Sequence, residues 1–187
     1  SLVLILGLLF WLISLLFLFG YPENSVLWND ESKIALMGVL VLVPAFVGIV
    51  VLKYLVPSGY LVLALVILVA AVDVGAYVVG VNFGSRKLAV KLSPKKSWEG
   101  VWGGTFACFF VASLFVWLMH NNLQTLSAMQ IIALLALSVG VTFFSVVGDL
   151  IESMLKRNCE IKDSGALLPG HGGVLDRVDG LVAATPL

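Results

Sequence analysis

Apolar residues fill five long runs of this chain, at about 2–20, 34–52, 60–81, 100–120 and 127–148, and a sixth run starts near Leu181. A bilayer core takes about 20 apolar residues to cross as a helix. Lipid offers no water to unpaired backbone groups, so runs of this length must be helical. The pattern therefore predicts an all-α fold, a polytopic bundle of transmembrane helices forming one membrane-embedded domain over 1–187. Polar residues interrupt it chiefly at 82–99 and 149–180, the loops left to carry chemistry. No internal repeat or low-complexity tract appears.

Charge orients the bundle. Nine of the eleven Lys and Arg residues lie in two segments, 86–96 and 156–177. The two runs between these segments form a hairpin whose turn, NNLQTLS, carries no charge, so both basic segments share one side. The positive-inside rule makes that side cytoplasmic. Alternation then also puts the acidic stretch YPENSVLWNDES inside and Lys53 outside.

Composition agrees. Hydrophobic residues make up 60% of the chain and charged residues 12%, with a net charge of zero. Soluble domains are nearer half apolar and a quarter charged. Bulk charge gives no reason to expect a nucleic-acid partner. Cys108 and Cys159 show neither metal spacing nor a disulfide framework and read as structural or incidental. The chain opens on Ser1 without a basic segment or cleavage site, which predicts a span rather than a signal peptide. The missing Met and the short final run, LVAATPL, read as a piece of a longer chain.

The polar stretch 153–180, SMLKRNCEIKDSGALLPGHGGVLDRVDG, carries the strongest chemical signal. Lys156, Arg157, Lys162 and Arg177 are cationic donors for phosphates. Asp149, Asp163, Asp176 and Asp179 are hard oxygen ligands for a divalent cation. Gly165, Gly170, Gly172 and Gly173 let backbone approach a ligand. The combination suits a Mg–nucleotide or Mg–phosphate site; the plainer reading is a solvated basic loop. Asp149, Glu152, Ser153 and Lys156 fall on one helix face, which Ser145 and Thr142 extend into the membrane. Asp176 and Asp179 would share a face if a helix begins there, though acids also suit helix N-termini for electrostatic reasons. His171 could be a base, a phosphate donor or a turn residue, and a donor role fits its glycine setting best. His120 reads as incidental.

Three further features lie upstream. Asp73, in AAVDVGAYVVG, sits roughly 12 Å below the cytoplasmic surface at 1.5 Å per residue. An ionised group there costs about 2.5–3.5 kcal/mol, so Asp73 is expected to line a polar cavity or meet a partner. Tyr77 shares its face. In SPKKSWEG, Pro94 is expected to fix a turn and Ser97 to cap the next helix, with Glu99 in its first turn. Lys95 and Lys96 then stand beside a helix N-terminus, a natural phosphate corner. Gly100 and Gly104, beside Gly103 and Ala107, predict close helix packing. Trp28, Trp98 and Trp117 lie near run boundaries, as interfacial residues do.

The stretch SMLKRNCEIKDSGALLPGHGGVLDRVD resembles the signature of the phosphatidate cytidylyltransferase (CDP-diacylglycerol synthase) family, meeting every fixed position from Ser153 through Asp179. DVGAY and SPKKSWEG resemble that family's upstream segments in the same order. The resemblance covers about Ala70 to the end of the chain, the C-terminal portion of such a protein. It implies transfer of a cytidylyl group from CTP to phosphatidic acid, giving CDP-diacylglycerol and pyrophosphate, with Mg²⁺ and a second, monovalent cation such as K⁺. On that reading Asp149, Asp176 and Asp179 are metal ligands, and Lys156, Arg157 and His171 complete the catalytic set. Asp73, Ser93, Lys95, Lys96, Lys162, Asp163 and Arg177 contact substrates. CTP, phosphatidic acid and membrane lipids are the partners, a homodimer is an admissible assembly, and the location is the inner membrane of a bacterium with the site facing the cytoplasm. A CTP-dependent lipid-alcohol kinase, another lipid cytidylyltransferase, and an ion-coupled transporter using Asp73 and the Thr142–Asp149 stripe are the alternatives.

Overall fold

A computed structural model describes residues 1–27, 30–122, 125–165, 167 and 172–187, with the side chains of Val26 and Leu27 left aside. Five helices are long and apolar enough to cross a membrane: α1 (Leu2–Phe19), α2 (Glu31–Leu55), α3 (Tyr60–Phe83), α4 (Trp98–Asn122) and α5 (Ala128–Asn158). A short α6 (Leu175–Ala184) follows, and a small hairpin, β1 (Lys87–Ala89) with β2 (Ser93–Ser97), joins α3 to α4. The protein is an all-α integral membrane protein, as the apolar runs require. Its contacts divide it into two compact units, Val56–Phe143 and Ser1–Leu55 with Phe144–Leu187, and the division falls inside α5.

In the unit Val56–Phe143, side-chain size decides which helix face turns inward. Lipid tails are as apolar as leucine, so helices meet there through close packing rather than hydrophobicity. On α4, Gly100, Gly104, Cys108, Ala112 and Val116 are buried at every fourth residue. Trp102, Phe106, Phe110 and Trp117, on the other side, are left exposed to lipid. Gly75 of α3 lies so near α4 that a Cβ there would stand 2.6 Å from the Gly103 carbonyl oxygen and from Ala107 Cβ. A Cβ on Gly104 would stand 2.8 Å from the Val72 carbonyl oxygen. The expected small-residue contact is thus formed, and it includes Gly103 as well as the Gly100–Gly104 pair. The buried Cys108 thiol donates to the Ser138 carbonyl at 3.4 Å, a packing role.

The other unit uses the same device. A Cβ on Gly7 of α1 would come 2.5 Å from Pro44 Cβ of α2, and one on Gly48 of α2 would come 2.7 Å from the Thr185 carbonyl oxygen just beyond α6. A Cβ on Gly148 of α5 would come 2.7 Å from the Asp179 carbonyl oxygen and 2.6 Å from Ala183 Cβ. That last contact seats α6 on the end of α5 and sets the position of Asp179.

Several boundaries differ from the sequence reading. The fifth apolar run ends at Gly148, but the helix runs on through Asn158, as the shared face of Asp149, Glu152 and Lys156 requires. The apolar pattern stops where lipid stops, whereas helical hydrogen bonding continues into water without it. The helix α6 begins at Leu175, before the apolar run near Leu181. Pro94 does not make a turn: it lies within β2, and the turn falls at Val90–Leu92, where the Leu92 amide donates to the Ala89 carbonyl at 3.2 Å. A two-stranded ribbon is all edge, so it tolerates a residue without an N–H. Ser97 caps α4 as expected, its hydroxyl accepting from the Gly100 amide at 3.2 Å. Trp98 and Trp117 are exposed at the ends of α4; Trp28 and part of the NNLQTLS turn lie outside the described residues.

Gly104→Leu is expected to lower unfolding stability in detergent by about 1–3 kcal/mol through overpacking. A Cβ on Gly38 would meet nothing within 4 Å, so Gly38→Ala is expected to be neutral or stabilising by up to about 1 kcal/mol. Thermal melts of the purified variants compare the two.

Candidate functional site: a lysine-bridged carboxylate cluster

Four carboxylates meet where α5 and α6 come together. Because α5 continues past the apolar run, Asp149, Glu152 and Lys156 stay in helical register and share one face. Because α6 begins at Leu175, Asp176 and Asp179 lie one turn apart on it. Oxygens of Asp149, Glu152 and Asp179 lie within 4.8 Å of one another. Glu152 is only 6% exposed, and Asp149 and Asp179 are half-buried.

Lys156 ties this cluster to the fourth acid. Its Nζ donates to Glu152 Oε2 at 2.9 Å and to Asp176 Oδ1 at 2.7 Å. Glu152 Oε1 is buried without a hydrogen-bond partner. A buried carboxylate oxygen left unpaired is costly, and protonation or a bound cation relieves the cost.

Asp176 has a second set of partners. Its Oδ2 accepts from the Ser164 amide at 2.9 Å, the Ser164 hydroxyl at 3.0 Å and the Gly173 amide at 2.7 Å. One carboxylate thus fastens both ends of the 164–173 segment. Gly172 has a left-handed φ of +84°, and a Cβ there would stand 2.7 Å from Asp176 Oδ2, so both conformation and space demand glycine. Burial pushes the Asp176 carboxyl upward, but Lys156 and the Ser164 and Gly173 amides outweigh it and hold it well below the usual carboxylate range.

The other sequence candidates are placed as follows. Arg157, Lys162, Asp163 and Arg177 are exposed around the cluster's polar segment. His171 lies outside the described residues. Asp73, Ser93, Lys95 and Lys96 belong to the unit Val56–Phe143: Asp73 and Lys95 are exposed, while Ser93 and Lys96 are half-buried. Ser138 and Thr142 are buried, and their hydroxyls donate within their own helix to the Leu135 and Ser138 carbonyls at 2.7 and 3.2 Å.

Sequence reasoning set Glu152 on the right face but gave it no role. The signal was present, since Asp149 and Glu152 are one turn apart if the helix continues. The clamp made by Ser164 and Gly173 had no signal, because backbone amides are invisible in a sequence.

These features define a class: an integral membrane protein with a partly buried oxygen-rich cluster, a bridging lysine and a glycine-bearing segment pinned beside it. All of residues 1–187 match the family model described as the cytidylyltransferase family, and the chain belongs to that family. It is 46% identical over 99% of its length to a phosphatidate cytidylyltransferase of Pseudomonas aeruginosa. It is 41% identical over its whole length to one of Haemophilus influenzae, and 39% identical over 64% of its length to one of Bacillus subtilis. The chain spans 66% of the Pseudomonas and Haemophilus proteins, just under two thirds.

Asp176→Asn is expected to cost about 2–3 kcal/mol of stability, since it removes charge-assisted hydrogen bonds from a 9% exposed side chain. The folded pKa lies below the unfolded one, so this contribution is complete above roughly pH 4 and is lost as pH falls further. Unfolding of wild type and variant across pH is expected to show a gap that narrows only on the acid side.

Proposed function

We propose that the chain is the site-bearing portion of a phosphatidate cytidylyltransferase, which joins CTP and phosphatidic acid into CDP-diacylglycerol and releases pyrophosphate. The observation that carries this reading is the pairing of two relatives of that name, 46% and 41% identical over 99–100% of the chain, with a carboxylate cluster built from the most polar segment.

The cluster suits a divalent cation. Three carboxylates within 4.8 Å, one of them with an orphaned buried oxygen, form a hard-oxygen set for which Mg²⁺ is the fitting ion. Asp149, Glu152 and Asp179 would hold it, with Asp176 joined to them through Lys156. A monovalent ion such as K⁺ belongs to the same proposal as a second cation. A bound Mg²⁺ supplies charge neutralisation at the phosphoryl oxygens.

The remaining steps fall to the substrates and the chain. A phosphomonoester has a second pKa near 6, so the attacking phosphatidate oxygen is already deprotonated at neutral pH. No general base is needed. That oxygen bonds to the α-phosphorus of CTP, the bond from the α-phosphorus to the bridging oxygen breaks, and pyrophosphate leaves with the electron pair. Catalysis is then a matter of position and charge. Lys156 keeps Glu152 and Asp176 in place. Arg157, Lys162 and Arg177, with Ser93, Lys95 and Lys96, are candidates for the phosphates, Asp163 for a substrate contact, and Asp73 for the wall of a polar cavity. His171 remains the proposed phosphate donor. The two basic segments support a cytoplasmic face for this chemistry, and the bacterial relatives support the inner membrane as the proposed location.

In the full-length protein in detergent, Asp149→Asn is expected to lower kcat by at least about 10²-fold while the protein stays folded. Turnover near the wild-type value would remove Asp149 from the metal set. Labelled CTP is expected to yield pyrophosphate and a lipid-linked CMP moiety; release of CDP would favour the lipid-kinase alternative.

A further inference from the structure

We propose that Glu99 is a positioning residue: its carboxylate latches the two ends of the β1–β2 hairpin together and so fixes where Lys95 and Lys96 stand. The proposal rests on the reading above in which those lysines meet phosphates.

The latch is made at the boundary between α3 and α4. The chain leaves α3 at Gly84 in extended conformation, so the next amides have no helical acceptor. Glu99 supplies one from the first turn of α4. Its Oε2 accepts from the amides of Ser85 and Arg86, both at 3.1 Å. Its Oε1 accepts from the Ser85 hydroxyl at 2.9 Å and from Arg86 Nε at 3.3 Å. The Trp98 amide returns a bond to the Arg86 carbonyl at 2.9 Å. Residues 85–86 and 98–99 are thereby pinned together, with the whole hairpin between them.

A carboxylate suits this place for two reasons. Two oxygens are needed for donors that converge from two successive residues. Negative charge is also favoured in the first turn of a helix. The backbone amides, rather than the ion pair, make the latch: the Arg86 side chain is 78% exposed, and such pairs contribute little. Inside the latch, Lys87 pairs with Ser97, Leu92 is 5% exposed, and Lys96 is half-buried. The latch adds to the burial of Leu92 and the Ser97 cap in holding a ribbon too short to be stable alone. Without it, Lys95 and Lys96 would have to be ordered again by each nucleotide bound, which costs affinity.

The test uses the full-length protein in detergent, with hydrogen exchange over residues 85–97 and steady-state kinetics in CTP. Glu99→Ala is expected to speed exchange of the Ser85 and Arg86 amides by about tenfold or more, and to raise the KM for CTP by about tenfold with a smaller change in kcat. Glu99→Gln, which keeps an acceptor oxygen, is expected to fall between Glu99→Ala and wild type, and it carries the test should Glu99→Ala not fold. Arg86→Ala is expected to stay near wild type. Wild-type exchange in both Glu99 variants would overturn the proposal, as would an Arg86→Ala effect equal to that of Glu99→Ala. Faster exchange with unchanged KM and kcat would uphold the latch and instead remove Lys95 and Lys96 from the substrate site.

Discussion

Repulsion among carboxylates is the constraint on which the candidate site depends. Asp149, Glu152 and Asp179 bring their oxygens within 4.8 Å of one another. At that separation two unit charges repel by about 3–4 kcal/mol at an effective dielectric of 20. Lys156 offsets part of this, but it is shared with Asp176. Carboxylate oxygens this close together, partly out of water, suit a bound divalent cation.

The crowding is imposed by packing. Gly148 lets α6 sit against α5 at the Asp179 carbonyl, and the helix register then delivers Asp149 and Glu152 to the same place. The glycines along α3 and α4 do the equivalent in the other unit, where Gly75, Gly103 and Gly104 bring two spans to near backbone contact. Along α4 the bulky side chains turn toward lipid and the small ones toward protein, whereas α1 buries Phe10 and Trp11 beside Gly7 and Ser14. On α4, size therefore replaces polarity as the sorting rule. The polar groups gather instead at the helix ends, around the α5–α6 junction and along the α3–α4 hairpin.

This distribution explains what could be read from the sequence. The five spans were legible because lipid thickness dictates their length. The helical face of Asp149, Glu152 and Lys156 was legible from spacing, and the Ser97 cap from residue type. The last residue of α5 and the first of α6 were not, since hydropathy marks the lipid boundary and spacing showed only that α5 reaches Lys156 and that Asp176 and Asp179 would share a face. The β-hairpin was missed because three and five residues around a Pro give no strand pattern. Pro94 was read as a turn residue for the same reason. The partnership of Lys156 with Asp176, twenty residues later, depends on how α6 folds back on α5, and spacing alone does not show that. Nor does sequence distinguish Glu99 as a helix-favouring acid from Glu99 as a latch on Ser85 and Arg86.

The central claim is that α5 and α6 together build a divalent-cation site. Mn²⁺ is a close substitute for Mg²⁺ at oxygen ligands, and its anomalous scattering locates it without ambiguity. Crystals of the full-length protein grown with Mn²⁺ and CTP test the claim most directly. The account predicts an anomalous peak in coordination contact with Asp149, Glu152 and Asp179. Ordered Mn²⁺ elsewhere, with that cluster empty and Lys156 still bridging Glu152 and Asp176, would contradict it.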